Sequence, residues 1–212
     1  MHEAARYWQT AGAVKTFTHP LDSTWLTTIS RTARILDYGC GYGRTVAELS
    51  DLGFASVRGI DISPALIDRG RRARPDLNLA VIDSPPTWAG PAAAFDVVIL
   101  LAVLTCIPDD NAQQTLITEL SSLLAPGGLI YVSDLLLQPD DRNVRRYTAH
   151  ARAHGGPYGV FATDDGAICR HHTADHLRRL FAGFNVLNER RVDVATMNGQ
   201  PASALQLFVQ KA

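Results

Sequence analysis

Residues 34–44 constrain the fold more than any other part of this sequence. They read RILDYGCGYGR, in which an apolar run ends in Asp37 and is followed by Gly39, Gly41 and Gly43, with TVAEL at helical spacing behind them. This pattern predicts a strand, a tight glycine turn and a helix. Glycines adopt backbone angles that other residues avoid, and they let a ligand lie against the main chain. The following helix N-terminus offers unpaired amide donors.

The spacing of these glycines separates two kinds of cofactor. The dinucleotide fingerprint is G-x-G-x-x-G, and Gly39 and Gly41 fit it, but its third place is Arg44. The pattern D-x-G-C-G-x-G, which includes Cys40, instead resembles the first motif of class I S-adenosylmethionine (SAM)-dependent methyltransferases. Asp37 suits the methionine ammonium of SAM and would repel a pyrophosphate. A glycine turn that binds nothing is the simpler alternative, and the acids downstream disfavour it.

Two further acids end predicted strands. Asp61 closes the run SVRGID, and Ser63 and Pro64 then provide an N-cap and a first-turn proline for the next helix. An acid at this place can accept both hydroxyls of a ribose, a chemistry that NAD and SAM share. Asp83 ends the run LNLAVID. The resemblance implies that Asp83 and Ser84 accept the adenine amino group.

The fourth predicted strand, residues 95–101, is a continuous apolar run after one acid, which is typical of a strand buried on both faces. Small residues such as Ala102 and Thr105 follow it and would leave room for cofactor and substrate. The resemblance implies this set of cofactor-binding residues: Asp37, Gly39, Cys40, Gly41, Gly43, Asp61, Ile62, Asp83, Ser84, Leu101 and Ala102.

Strands alternate with helices as far as residue 135, which predicts an α/β fold with a doubly wound, mostly parallel sheet. The run LAPGG before the fifth strand is a further resemblance to the methyltransferases. Residues 184–194 and 204–209 predict two strands joined by a short loop and therefore antiparallel. That ending resembles the seven-stranded Rossmann-like methyltransferase sheet, whose last strand is antiparallel. Ligands in such sheets bind beyond the carboxyl ends of the strands, where the three acids lie.

The chain divides into two predicted regions. Residues 1–32 are expected to form an N-terminal helical lid, with one of its helices over residues 20–30. Residues 33–212 are expected to form the SAM-binding methyltransferase domain. Within it, residues 138–172 are too long for a plain connection, and we predict that they are a substrate-cap insertion.

Methyl transfer needs a base only when the acceptor carries a proton that must leave, and histidine is the side chain best tuned for that role. The catalytic candidates are His172 or His171, then His150 and Tyr7. Tyr7 is equally explained as an aromatic that packs the lid onto the core. His150 and His154 have a metal-like spacing, but no carboxylate or thiol completes a set, so no metal is predicted.

Composition limits the binding partners and the cellular compartment that are expected for this chain. A formal net charge of −1 over 212 residues gives no basic field for nucleic acid. No stretch is long and apolar enough to span a bilayer, and the N-terminus does not resemble a secretory leader. Three cysteines without a C-x-x-C pair predict a reducing, cytoplasmic setting. A homodimer is left open.

The leading hypothesis is therefore SAM-dependent methyl transfer to an oxygen or nitrogen of a small-molecule acceptor, with secondary metabolism as the expected context. Two alternatives stay open: cyclisation or elimination on an acidic metabolite by the same fold, and a non-catalytic SAM-binding subunit. Four arginines in the cap either contact a carboxylate or phosphate on the acceptor or form a solvated helix face. They are Arg142, Arg145, Arg146 and Arg152.

Overall fold

The structure is a computed structural model that describes residues 3–83 and 91–212. Within them the α-helices are α1 (Glu3–Gln9), α2 (Arg44–Asp51), α3 (Pro64–Ala73), α4 (Asp110–Leu123), α5 (Asp141–His154) and α6 (Ala174–Leu180). The strands are β1 (Arg34–Tyr38), β2 (Ser56–Asp61), β3 (Leu79–Val81), β4 (Phe95–Leu101), β5 (Leu124–Leu135), β6 (Val160–Ala162), β7 (Ile168–Arg170), β8 (Phe184–Ala195) and β9 (Pro201–Lys211). Single 3-10 turns lie at Ala11–Val14, Ser23–Leu26 and Leu104–Cys106.

The main sheet has seven strands in the order β3-β2-β1-β4-β5-β9-β8. Strands β1 to β5 pair in parallel, whereas β9 is antiparallel to both β5 and β8. The predicted fold class, a mostly parallel doubly wound sheet with an antiparallel last strand, is therefore confirmed. The order reverses between β1 and β4, so a crevice opens at the carboxyl ends of these two strands.

Both faces of the sheet are covered, which explains the unbroken apolar run in β4. Val98 and Leu100 point into a core shared with α4 and α6. Val97 and Ile99 point into the opposite core, which includes side chains of α2, α3 and the N-terminal segment. All four side chains are buried. A parallel strand that is covered on both sides has no face in contact with solvent, so polar residues do not alternate along it.

The helix predicted over residues 20–30 is wrong. The structure has only the short turn Ser23–Leu26, whose N-cap Asp22 accepts a hydrogen bond from the Thr24 amide at 3.0 Å. The segment is rich in threonine, whose branched side chain lowers helix propensity. Packing fixes its path instead, because the Asp22 amide donates to the Tyr131 hydroxyl at 2.9 Å and Leu26 is buried.

The predicted cap, residues 138–172, contains α5 and the β6–β7 hairpin, and the hairpin is fastened to the carboxyl edge of the sheet. The Thr105 hydroxyl, just beyond β4, donates to the Arg170 carbonyl at 2.7 Å. The His172 amide donates to the Leu135 carbonyl at 2.9 Å, at the end of β5. The division into lid, domain and cap remains a prediction, but the chain after β5 lies over the edge where ligands are expected.

Among the described residues, no helix combines the length and the apolar character needed to cross a membrane.

Candidate active site

The turn after β1 has the backbone that its glycines predict. Gly39, Gly41 and Gly43 have φ angles of 72°, 58° and 79°, which other residues rarely adopt. Gly43 is the N-cap of α2, so the helix begins with free amide groups facing the turn. A Cβ on Gly39 would lie 2.6 Å from Cγ2 of Val103, which follows β4. The glycine turn and the end of β4 are therefore in direct contact.

Asp37, in β1 before this turn, is buried and holds a carboxylate oxygen without a partner. It is 3% exposed, and its Oδ2 atom has no hydrogen bond among the described residues. Burial raises the pKa of Asp37 to about 7; nearby Arg44 acts against that shift and Asp61 adds to it. An unpaired buried carboxylate is costly, and a bound cation at that oxygen would satisfy it.

Arg44 supplies the opposite charge beside Asp37. Its guanidinium donates to the His19 carbonyl and, at 3.3 Å, to Glu48, yet its Nε atom is buried without a partner. A carboxylate acceptor and a guanidinium donor thus stand unsatisfied at one end of the glycine turn. This arrangement suits a zwitterionic α-amino acid group, whose ammonium and carboxylate need one partner each.

Asp61 ends β2 as predicted, and its carboxylate binds the turn itself. One oxygen accepts the Gly41 amide and the other accepts the Ser63 amide, both at 2.8 Å. Burial raises the pKa of Asp61, and these amide donors counteract the shift. Each oxygen keeps a second lone pair for a hydroxyl donor. Ile62 follows half-buried against the core.

The remaining predicted cofactor residues differ in how far they are buried. Cys40 is buried, which raises the pKa of its thiol. Leu101 and Ala102 are half-buried at the end of β4, and Ala102 has a φ of 55°, a strained value for a residue other than glycine. Asp83 is exposed beyond β3. Ser84 lies outside the described residues.

His172, the leading catalytic candidate, is buried and bonded on both ring nitrogens. It is 1% exposed; Nδ1 lies 3.3 Å from the Leu135 carbonyl and 3.5 Å from Asp134, and Nε2 lies 2.9 Å from the Gln113 amide. The ring connects β5 to α4, and it stacks on His176 of α6. These contacts favour a structural role for His172.

His171 points to the other side, into the cap. Its Nδ1 lies 2.6 Å from the Tyr147 hydroxyl, and the ring packs against Phe161. Burial, together with the charge of nearby Arg146, lowers the pKa of His171 to about 3. The ring is therefore neutral at physiological pH and a weak base.

The two other catalytic candidates also have structural partners. His150 is half-buried on α5, where its ring lies 4.7 Å from that of His154. Tyr7 is buried, and its hydroxyl donates to Asp165 at 3.1 Å. In the described part of the chain, no group of three or more His, Cys, Asp or Glu side chains could hold a metal ion.

The N-terminal segment contacts the glycine turn, α3 and the cap. Arg69 of α3 donates to the Lys15 carbonyl at 2.7 Å, and Lys15 forms an ion pair with Asp165 of the cap. Phe17 stacks on Tyr42 of the glycine turn, with ring centroids 5.5 Å apart. The segment therefore joins the glycine turn to the cap, and its role as a lid remains a prediction.

His19 was missed by the sequence analysis. It lies at the base of the lid, is 5% exposed, and has its Nδ1 atom 2.8 Å from the Ser133 hydroxyl of β5. Burial lowers the pKa of His19, although the charge of Asp134 opposes the shift. Nε2 makes no hydrogen bond with the described residues. No motif surrounds His19, so only the path of the lid shows that it reaches the carboxyl edge.

Comparison with known proteins agrees with this geometry. Residues 13–189 match the family model described as "Methyltransferase domain". Trans-aconitate 2-methyltransferase of Methylobacterium radiotolerans is 36% identical over 136 residues, which cover 63% of this chain and 48% of that protein. A ubiquinone biosynthesis O-methyltransferase of Xanthomonas axonopodis pv. citri is 32% identical over 145 residues, covering 64% and 59%.

A solved structure shows the same fold. A crystal structure of a SAM-dependent methyltransferase from Methanosarcina mazei superposes with a TM-score of 0.82 at 24% identity, covering 91% of this chain and 99% of that one. The curated relatives are longer: the matched region spans about half the length of each, 48% and 59% for the two above.

Proposed function

We propose, since this chain belongs to the methyltransferase-domain family of class I SAM-dependent methyltransferases, that it transfers a methyl group from SAM to an oxygen or nitrogen of a small molecule. The family is established by a match over most of the chain. The reaction of the whole protein is our inference, because the curated relatives extend well beyond the matched region.

The observation that carries the proposal is the unsatisfied pair beside the glycine turn. Asp37 Oδ2 and Arg44 Nε are both buried without partners. We assign Asp37 to the ammonium and Arg44 to the carboxylate of the methionine end of SAM. Both are charge-assisted contacts, which are stronger than neutral ones. A dianionic pyrophosphate at the same place would face the Asp37 carboxylate.

The other predicted residues complete the cofactor site. Gly39, Gly41 and Gly43 give the turn the positive φ angles that bring its main chain to the ligand, and Cys40 packs beneath the turn. Asp61 keeps lone pairs for the ribose hydroxyls, and Ile62 offers an apolar side chain next to it. Asp83 and Ser84 would meet the adenine, and Leu101 and Ala102 would line the methyl end.

SAM, when bound, supplies a methyl carbon that its sulfonium already makes electrophilic. The protein therefore has to hold the acceptor in line with that carbon and exclude water. The lid and cap contribute to exclusion, because Lys15, Tyr7 and Asp165 join them above the carboxyl edge.

A proton must leave only if the acceptor carries one at the reacting atom. His171 and His172 have little capacity to take it, the first as a weak base and the second because both ring nitrogens are engaged. We assign the role to His19 on geometry alone, because its Nε2 has no hydrogen-bond partner among the described residues; burial lowers its pKa as it lowers that of His171. An acceptor that arrives as an anion needs no base at all.

The relatives favour methyl transfer over the alternatives of cyclisation, elimination or a non-catalytic subunit. Both curated proteins, each at least 30% identical to this chain, are methyltransferases that by name act on small molecules. A formal charge of −1 supports a metabolite rather than a nucleic acid. The three cysteines are free, which supports a reducing compartment such as the cytoplasm. A homodimer and a place in secondary metabolism remain predictions.

Isotopic methyl transfer tests the proposal. The protein is incubated with methyl-labelled SAM and a metabolite extract, and the small-molecule fraction is separated. We expect label in that fraction together with an equal amount of S-adenosylhomocysteine, and much less of both products with Asp37→Asn at a SAM concentration that does not saturate the variant. Tight SAM binding without transfer to any extract fraction would favour a non-catalytic subunit.

A further inference from the structure

We infer that the cap contains a binding site for a carboxylate of the acceptor, built around Arg146. This inference rests on the proposed function, because it identifies the substrate class for the same site. It selects one arginine from the four in the cap and assigns it a ligand.

Arg146 is a cation held in the protein without an anion. Its guanidinium carbon lies 3.4 Å from the centroid of the Phe161 ring and 5.9 Å from that of Tyr147. Its Nε atom is buried with no hydrogen-bond partner, and none of the ion pairs among the described residues includes it. Stacking on Phe161 fixes the plane of the guanidinium, the Tyr147 hydroxyl interacts with part of its edge, and Nε is the donor left without a partner.

The nearby acids are already engaged. Asp165 binds Lys15, Thr163 and Tyr7. Asp140 caps α5, where its oxygens accept the backbone and side-chain amides of Asn143. Asp140 attracts Arg146 through space, but neither carboxylate forms an ion pair with it among the described residues. The positive charge is therefore left for a ligand.

Arg146 stacks on the β6–β7 hairpin, which is bonded to the carboxyl edge of the sheet. Phe161 pairs in register with Cys169 across the β6–β7 hairpin, and the next residue, Arg170, is bonded through its carbonyl to Thr105 beyond β4. Phe161 and Cys169 belong to one apolar cluster with Tyr7 of the lid and Tyr147 of α5. The side chains around Arg146 thus come from lid and cap together.

A stacked guanidinium beside aromatic side chains favours a ligand that carries a planar anionic group on an organic framework. A guanidinium can bind a carboxylate through two parallel N–H···O bonds. Stacking on Phe161 holds the guanidinium of Arg146 in one plane, which fixes the direction of its N–H groups. The side chains of Tyr7, Tyr147 and Phe161 are buried in one cluster and form a rigid apolar support beneath the guanidinium. The chemical class is therefore a small organic acid.

Calorimetric titration with matched acids and amides tests the site. The probes are tricarballylate and 4-hydroxybenzoate, each beside its uncharged amide, added to the protein with and without saturating S-adenosylhomocysteine. We expect at least one acid to bind about ten times more tightly than its amide, the strength of one good charge-assisted contact. Arg146→Gln should abolish the preference, and Arg145→Gln, an exposed neighbour on α5, should retain it.

Two results would overturn the inference: wild-type protein that prefers neither acid, or a preference that survives in Arg146→Gln. If the glutamine variant does not fold, Arg146→Lys replaces it, and full acid preference in that variant would equally contradict a site that needs the planar fork. Failure of S-adenosylhomocysteine to bind would refute the proposed function instead. The acid titration without cofactor keeps the two failures distinct.

Discussion

Asp37 is the residue on which the cofactor assignment depends most. Its side chain is buried at the end of β1, one oxygen has no partner among the described residues, and burial raises its pKa to about 7. A buried carboxylate without a partner destabilises the protein that contains it. A ligand ammonium at that oxygen would remove the penalty.

Asp37→Asn separates binding from folding. We expect the amide to weaken SAM binding by about 10- to 100-fold, because a charge-assisted contact is lost. The melting temperature of the ligand-free variant should not fall, since a buried charge is removed. Calorimetry and thermal melting measure the two effects, with Asp51→Asn, an exposed ion-pair residue, as the control. Unchanged affinity in Asp37→Asn would contradict the assignment.

The same carboxyl makes SAM binding depend on pH. The ammonium favours ionised Asp37, so binding should lower its pKa from about 7 and release a proton near neutrality. Affinity should fall by up to about tenfold per unit as the pH drops below 7. The folding stability of the ligand-free protein has the opposite dependence on pH. Because the pKa of Asp37 is higher in the folded than in the unfolded chain, its protonation stabilises the fold at low pH, and this stabilisation is lost as the pH rises from about 4 to 7. Titrations in buffers of different ionisation enthalpy count the released proton, and zero release at pH 6 would argue against Asp37.

Substitution of His172 distinguishes a structural role from a catalytic role for this histidine. Replacing it with alanine removes one of several partners of Gln113, takes the imidazole away from Asp134 and leaves a cavity, and we expect a loss of about 2–3 kcal/mol of folding free energy. His154→Ala, on the exposed end of α5, should cost much less. Turnover per folded molecule, measured below the melting transition, should be retained. A stable but inactive His172→Ala would restore the catalytic assignment.

At the scale of elements, the lid is held to the rest of the chain by side-chain contacts and not by sheet pairing, and it should open locally. Arg69 donates to the carbonyls of Ala13 and Lys15, and its guanidinium lies 4.0 Å from the Tyr42 ring centroid. The segment it holds has little regular structure of its own. Lid opening is therefore expected to require less free energy than global unfolding.

Arg69→Met should release the lid. We expect faster hydrogen exchange over residues 10–20 and only a small change in melting temperature, because the variant removes an anchor outside the sheet. Arg72→Met, exposed one turn further along α3, is the matched control. Exchange that stays at the wild-type rate in the lid would contradict the role of Arg69 as an anchor and would show that the other contacts, such as Lys15 with Asp165 and Phe17 with Tyr42, hold the lid.

The elements could be predicted from the sequence to the extent that local signals specify them. The strand–glycine–helix order, the N-cap Ser63 and the antiparallel last strand all depend on patterns within a few residues, and all were confirmed. The helix predicted over residues 20–30 failed because tertiary contacts to Tyr131 fix that segment.

The site was less accessible to sequence reasoning for a physical reason. Acids at strand ends are tied to the sheet by topology, so Asp37 and Asp61 could be placed together. His19 and Arg146 belong to segments whose path over the sheet depends on packing between distant parts of the chain. His172 carried a plausible catalytic pattern, yet only the burial of both ring nitrogens reveals its structural role.

At the scale of the whole molecule, one sheet brings three separate segments to a single edge. The β1 turn carries the proposed cofactor contacts, the lid closes over it, and the cap adds Arg146 and the aromatic cluster. The order reversal between β1 and β4 creates the crevice where they meet. One molecule of cofactor per chain is the expected capacity.

Titration of the intact protein with SAM tests this account most directly. We predict one binding event per chain with a dissociation constant in the micromolar range, and S-adenosylhomocysteine competing for the same site. The affinity should fall in Asp37→Asn. No heat of binding at millimolar SAM, confirmed by an unchanged melting temperature at the same concentration, would contradict it.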